Sequence, residues 1–253
     1  MIKDSESTIL LRHADKGMWP ISSEEITSAL PHDKASLLIN TLKEEFPNLK
    51  ETPITLDGIT RALNLADKIY AQLPKNGVLI ATDSGKDRAE FTRTLINARI
   101  AQLESIDQNT NGKDAKRIDM AVIEDTEIIK ALQDTDPATW EPYGKMIKKE
   151  NISEAEAIAR WINEQDALPN AEDAETPKAS AKRYRKLIRS LRQRITGKKV
   201  PVIFLGVGHS GPLSQARYEK QGRPMTDADV AKFCEIFEFD ADGNLIQTEE
   251  TEI

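Results

Sequence analysis

The sequence predicts an α/β chain in three layers, helices on both faces of a mostly parallel sheet. Three observations lead there. Short continuous apolar runs recur at Thr8–Leu11, Gly77–Thr82 and Pro201–Gly208, as strands covered on both faces require. Stretches with apolar residues at helical spacing lie between them. No composition shift, linker, internal repeat or sustained heptad divides the 253 residues, so a single domain over 1–253 is expected.

Taken in order, the first strand (Thr8–Leu11) ends in Arg12-His13 and runs into a polar stretch, Lys16–Asp33, carrying Trp19 and Pro20. Lys34–Phe46 has Leu37, Leu38, Leu42 and Phe46 at helical spacing. Thr55 suits the N-cap of a helix to about Leu73, with Ile59, Ala62, Leu63, Leu65, Ala66, Ile69 and Tyr70 as its apolar stripe. Gly77–Thr82 follows a Pro-Lys-Asn-Gly turn as a buried strand, and a helix is expected from Asp87 to about Leu103. The polar, glycine-containing stretch 107–116 reads as a loop insertion, and Met120–Ile123 as a further strand. Helices are expected at Glu154–Asn163 and Ala179–Ile195, with the Ala/Pro/acid-rich stretch 166–178 as a loop insertion between them. Pro201–Gly208 is the next buried strand. Cys234–Phe239 and Asn244–Thr248 flank Asp240-Ala241-Asp242-Gly243, a hairpin signal.

Composition narrows the function. Hydrophobic residues make up 39% and charged residues 30%, and 35 basic against 42 acidic residues leave a net charge of −7. Duplex binding needs clustered cations to neutralise phosphates, so no nucleic-acid partner is expected. The basic run Lys182–Arg189 reads as the solvated face of a helix whose other side is Leu187, Ile188 and Leu191. One cysteine, Cys234, excludes an intramolecular disulfide and a cysteine metal cluster, and reads as a small core residue. The N-terminus has acidic residues and no apolar core of a signal peptide, and no run approaches the roughly 18 apolar residues of a membrane span. A cytoplasmic protein without a membrane partner is the expectation; oligomeric state is left open.

One logic repeats three times: a buried strand ends and residues suited to an anion follow. The first instance is Arg12-His13, the second Ser84-Gly85-Lys86-Asp87-Arg88, the third Gly208-His209-Ser210-Gly211. Ligands in open α/β folds sit at the carboxyl edge of the sheet. The chain has three histidines, His13, His32 and His209, and two of them stand at such an edge. His32, in Leu30-Pro31-His32-Asp33, reads as an exposed loop residue. Trp19, Trp140 and Trp161 read as core or rim anchors, with Trp19 near enough to Arg12-His13 to shape specificity.

These motifs resemble those of the histidine phosphatase superfamily, which includes the phosphoglycerate mutase-like and acid phosphatase branches. Leu11-Arg12-His13-Ala14-Asp15-Lys16 matches the strand-end Arg-His signature, closest to members with Arg-His-Ala-Glu-Lys, with Asp15 in place of the Glu. Pro53-Ile54-Thr55-Leu56-Asp57-Gly58-Ile59-Thr60-Arg61-Ala62 matches the family's helix start. Ser84, Arg88 and Thr92 match its second arginine motif, and Gly208-His209-Ser210-Gly211 its second histidine. The four come in family order from Leu11 to about Leu213. The resemblance implies a phosphoglycerate mutase-like fold and a phosphatase. Arg12, Arg88 and His209 would hold the phosphoryl oxygens, and His13 would attack phosphorus and carry a phosphohistidine that water hydrolyses. Planar arginine forks suit equatorial phosphoryl oxygens, and a neutral imidazole is a competent nucleophile near pH 7. No metal or cofactor is required.

The chain departs from the family at the general acid. The branch that uses an Asp after the second histidine has Ser210 here. The branch that uses a Glu after the third strand would, with Ile128 set on its Leu, have Lys130. Glu127 is the first candidate acid, with Glu124 and Glu141 as alternatives. Without an acid, substrates with good leaving groups are favoured, phosphohistidine on a protein among them. The expected substrate is a phosphorylated small molecule or phosphoprotein. Alternatives are a phosphoglycerate mutase-like phosphomutase and a non-catalytic phospholigand-binding protein on the same fold. The stretches Lys16–Asp33 and Thr135–Glu150 are expected to choose the substrate as loops.

Overall fold

The computed structural model describes residues 6–20, 22–133, 137–165, 175–195 and 200–251. Its first half runs β1 (Glu6–Arg12), β2 (Lys16–Pro20), α1 (Ser23–Ala29), α2 (His32–Glu45), β3 (Glu51–Ile54), α3 (Leu56–Gln72), β4 (Gly77–Asp83), α4 (Asp87–Asn111) and β5 (Ile118–Val122). There follow α5 (Thr126–Leu132), α6 (Pro137–Glu150), α7 (Glu154–Glu164), α8 (Pro177–Ile195), β6 (Val202–Gly208), α9 (Ser210–Gln221), β7 (Ile236–Phe239) and β8 (Leu245–Glu249).

Six strands form one sheet in the order β5-β4-β6-β1-β7-β8. β5, β4, β6 and β1 are parallel, and the β7–β8 hairpin completes the sheet antiparallel to β1. Alternation along the strands splits the core into two layers. Ile9 and Leu11 of β1 and Ile203, Leu205 and Val207 of β6 pack toward α1–α4. Leu10, Phe204, Phe237 and Phe239 pack toward α5, α8 and α9. The α/β/α layering and mostly parallel sheet are those the apolar runs predict.

The register decides where the chemistry lies. Arg12 pairs with Gly208, and Val207 with Asp83, so β1, β6 and β4 end side by side at one edge. The ladder continues one step further, with the His13 N–H donating to the Gly208 carbonyl at 3.1 Å. Three residue pairs far apart in sequence thereby share one rim.

Several expectations change. The stretch 107–116 is not a loop: α4 continues to Asn111 and a 3₁₀ turn covers Gly112–Asp114. Its polar side chains satisfy one another locally, Asp107 accepting from Asn111 and from the Lys116 N–H, which periodicity in apolar residues cannot register. The stretch 16–33 is not one loop either. β2 pairs antiparallel with β3, thirty residues on, and α1 intervenes, its N-cap Ser22 accepting from Glu25 N–H. Residues 137–150, expected as a specificity loop, are α6. Of the insertion 166–178, residues 166–174 lie outside the described residues, and Pro177 already begins α8. Thr55 caps α3 as expected, accepting from Gly58 N–H at 3.1 Å. The expected hairpin stands, with Gly243 at φ 81° in its turn.

Candidate active site

His13 leaves β1 directly, and His209 precedes α9 as its N-cap. Because β1 and β6 are adjacent and in register, the two rings meet edge to face at 5.1 Å between centroids. Both are buried, 3% and 2% exposed. The His13 Nδ1 lies 2.7 Å from the Ala14 carbonyl oxygen. A carbonyl only accepts, so Nδ1 carries the hydrogen, and the neutral ring presents the Nε2 lone pair as its free, nucleophilic position. The His209 Nε2 shares a hydrogen bond of 2.9 Å with the buried Ser84 hydroxyl at the end of β4. Each ring is thus tied to a different strand end.

Electrostatics favour the neutral rings. Burial pushes His13 down to about 2, with His209, Arg88 and Arg12 adding to the shift against the Ala14 carbonyl. Burial likewise pushes His209 down to about 3, helped by Arg88, Arg12 and Lys86.

Arg12 is held from three sides. One Nη donates to the Ala231 carbonyl at 2.8 Å, the other lies 3.5 Å from the Glu154 carboxylate, and the guanidinium stacks 3.8 Å above the Phe233 ring. Phe233 also lies 5.8 Å from the His13 ring. The backbone that presents Ala231 and Phe233 is anchored by the Cys234 N–H donating to the Arg12 carbonyl and by a buried Arg217–Glu235 ion pair. Arg88, in the first turn of α4, is placed through Thr92. The Thr92 hydroxyl donates to the Arg88 carbonyl at 2.7 Å and accepts from the Ala14 N–H at 3.1 Å. The α4 N-cap, Lys86, makes no side-chain cap bond, so the positive end of a 25-residue helix also faces this rim.

The tight fit of the rim explains two glycines. A Cβ on Gly58 would stand 2.9 Å from the Asp15 nitrogen, so only glycine lets α3 start this close to the Arg-His turn. A Cβ on Gly208 would collide with the Tyr184 hydroxyl. Asp15 itself pairs with Arg61 at 3.2 Å, and burial raises its pKa while Arg61 and Arg12 lower it.

His13 and His209 meet across β1 and β6 with Arg12 beside them, and Arg88 opens α4 joined to the same turn through Thr92. Glu127 does not join them: it is 84% exposed, and its carboxylate meets Lys130 in solvent. Glu141 is 70% exposed and paired with Lys145, and Glu124 lines a groove of about 800 Å³ between α2, α4 and β5 that holds neither histidine. Lys130 is 63% exposed, and His32 is exposed at the start of α2. Trp161 is a buried anchor of α7 and Cys234 a buried core thiol; the side chains of Trp19 and Trp140 lie outside the described residues. The run Lys182–Arg189 lies on α8 with Leu187, Ile188 and Leu191 in the core. Sequence reasoning missed Glu154, Ala231 and Phe233 around Arg12. Two are side chains without a motif, and the third acts through a carbonyl that any residue has.

Among the described residues, no group of His, Cys, Asp or Glu is arranged to hold a metal ion, and no helix is long and apolar enough to cross a membrane.

Against solved structures, the chain is similar in fold to the phosphoglycerate mutase of Bacillus anthracis str. Sterne, with a TM-score of 0.51, 13% identity, and coverage of 94% of this chain and 89% of that one. It is also similar to YhfR of Bacillus stearothermophilus (TM-score 0.49, 13% identity, 94% and 93% covered). A third is a phosphoserine phosphatase of Entamoeba histolytica in complex with 3-phosphoglyceric acid (TM-score 0.47, 13% identity, 98% of each chain covered). No family model and no curated protein sequence matches the chain.

Proposed function

On the phosphoglycerate mutase-like fold of the histidine phosphatase superfamily that this chain carries, we propose a phosphatase that hydrolyses phosphomonoesters, or phosphohistidine, through a phosphohistidine on His13. The observation that carries the reading is the fixed tautomer of His13: its Nδ1–H is committed to the Ala14 carbonyl, so Nε2 is the lone pair, set beside two arginines and a second imidazole.

The chemistry follows from those residues. A phosphoryl dianion is attracted by Arg12 and Arg88, and bidentate guanidinium contacts fix its oxygens. The Nε2 lone pair forms the N–P bond as the bond from phosphorus to the leaving oxygen breaks. Water then adds to phosphorus as the N–P bond breaks, releasing inorganic phosphate and restoring the neutral ring. The work lies in positioning and in charge on the equatorial oxygens, which preorganised cations stabilise. Glu127, turned to solvent, gives the leaving group no proton; if no other acid serves, the leaving atom takes its proton from water. Aryl phosphates and phosphohistidine, whose leaving groups need least help, are the favoured substrates.

The test is turnover of phenyl phosphate by the intact chain and by His13→Ala, with alkaline quench and mass spectrometry of the protein. The expected result is a phosphoryl adduct on His13 and loss of turnover by at least about a thousandfold in the variant, the scale of a removed covalent nucleophile. Unchanged turnover in His13→Ala would sink the proposal. Binding of phosphate without turnover would point to the non-catalytic phospholigand protein, and isomerisation of 3-phosphoglycerate to the mutase.

A further inference from the structure

We infer that the groove between the β2–β3 sheet, the end of α2 and the start of α4 is the leaving-group subsite, and that it takes an extended apolar group free of negative charge. The inference rests on the phosphatase reading and names the class of ester it acts on.

The groove, open to solvent, has a volume of about 800 Å³, and its lining includes Arg88 and Gly17, four residues past His13. Arg88 is joined to the turn after His13 by the Thr92 hydroxyl, which donates to the Arg88 carbonyl and accepts from the Ala14 N–H, so this wall of the groove and the His13 turn are held together. A substrate whose phosphoryl group sits between Arg12 and Arg88 therefore has this channel for the rest of its body. The volume is that of a pocket for a drug-sized ligand rather than for a three-carbon phospho acid.

Its floor is apolar. Phe46 and Phe91 meet at 5.0 Å between ring centroids, and Met18 and Leu49 stand over them. Met18 is 75% exposed and Leu49 is 37% exposed. Two exposed apolar side chains at the β2–β3 ribbon of one groove lose contact with water only when something covers them, and methionine adapts to flat partners. The rim is acidic: Glu45, Glu51, Asp87 and Glu90 outnumber Lys86 and Arg88. With Arg88 committed to phosphate, a second anionic group on the substrate meets like charge within a Debye length. Small phosphorylated carboxylic acids are thereby disfavoured, and an uncharged aromatic or alkyl body is favoured.

The experiment compares kcat/KM for phenyl phosphate, 2-naphthyl phosphate and 6-carboxy-2-naphthyl phosphate, with the corresponding phosphonates measured for binding by calorimetry. The naphthyl ester should exceed the phenyl ester by about tenfold, the scale that burying one further ring face supplies, and the added carboxylate should erase that gain. In Met18→Asp and in Leu49→Asp the naphthyl-to-phenyl ratio should fall toward one. Ile106→Asp, an exposed change on the far part of α4, should keep it. Equal kcat/KM for phenyl and naphthyl esters, or a ratio untouched by the groove variants, would overturn the inference while leaving His13-dependent hydrolysis standing. Loss of all turnover with the phosphonate binding ratio intact would remove the phosphatase reading and leave the groove; equal phosphonate binding would remove the groove.

Discussion

Thr92→Val tests how Arg12-His13 and Arg88, the two proposed phosphate clamps, are joined. The Thr92 hydroxyl bridges the turn after β1 and the first turn of α4: it accepts from the Ala14 N–H and donates to the Arg88 carbonyl, with Thr92 and Ala14 both fully buried. Valine keeps the shape and removes the hydroxyl. The Arg88 carbonyl lies within the α4 helix and retains a helical partner, whereas the Ala14 N–H is left buried without an acceptor. A buried donor so orphaned costs about 1–3 kcal/mol. For a chain of this size each kcal/mol lowers Tm by about 2–4 °C, so a fall of roughly 2–12 °C is expected. Activity should fall with it, because relaxation that rescues the N–H moves His13 away from Arg88, and small misplacements at a reacting centre cost up to about a hundredfold.

Thermal unfolding and kcat/KM for phenyl phosphate read the two effects. Thr92→Ser, which keeps the hydroxyl, should return both toward wild type. If valine matches wild type in Tm and kcat/KM, or if serine is as damaging as valine, the hydroxyl does not couple the clamps and the reasoning is refuted.

Two further outcomes follow from the same geometry. With His13 held down to about 2 and His209 to about 3 against an ordinary 6.5, both rings stay neutral in the folded chain at pH 5, as imidazole nitrogen shifts in NMR should show. The unfolded chain binds those protons from pH 6.5 downward, so stability is fully present above that pH and falls by up to about 1.4 kcal/mol per unit per histidine as pH drops; a flat urea midpoint between pH 7 and 4 contradicts the shifts. Glu154→Gln removes the half-exposed carboxylate beside Arg12, a rim pair of about 0–1 kcal/mol; vanadate or phosphate should inhibit the variant up to about fivefold more tightly, and weaker inhibition means the carboxylate aids rather than competes with the anion.

What the sequence made legible was whatever one strand or helix encodes alone. β1, β4 and β6 are apolar runs because both their faces are covered, so their ends, and the cations and histidines just past them, could be placed without knowing the sheet. Their adjacency could not: β6 lies between β4 and β1 although it comes some 120 residues after β4, and only that order brings His209 to His13. β2 and β3 were illegible for the same reason in sharper form. Each is short, contains proline, and finds its partner only across two helices. The far turn of α4 was illegible because its residues 107–111 satisfy one another with polar side chains, leaving no apolar stripe to read. At the site, Thr92 was visible through its motif, whereas Phe233 packs on Arg12 from 221 positions away with nothing in its neighbours to mark it.

That distribution explains how the site is held together. Arg12, Arg88 and Lys86 bring positive charge near two imidazoles that burial keeps neutral, with Glu154 at Arg12 and Asp87 and Glu90 in the first turn of α4 beside them. The cluster's position is over-determined by groups that carry no net charge: the Ala14 and Ala231 carbonyls, the Ser84 and Thr92 hydroxyls, and the Phe233 face. Charges that made the fold could be replaced by other charges on the surface. Carbonyls and hydroxyls aimed at one ring nitrogen or one guanidinium cannot, because each fixes a direction as well as a distance. The rigidity of His13 therefore resides mainly in backbone and hydroxyl dipoles, and its reactivity in the cations around it. On the proposed reading, an anion bound between Arg12 and Arg88 would meet those cations without disturbing the dipoles that hold His13, the condition for a nucleophile that is ready before its substrate arrives.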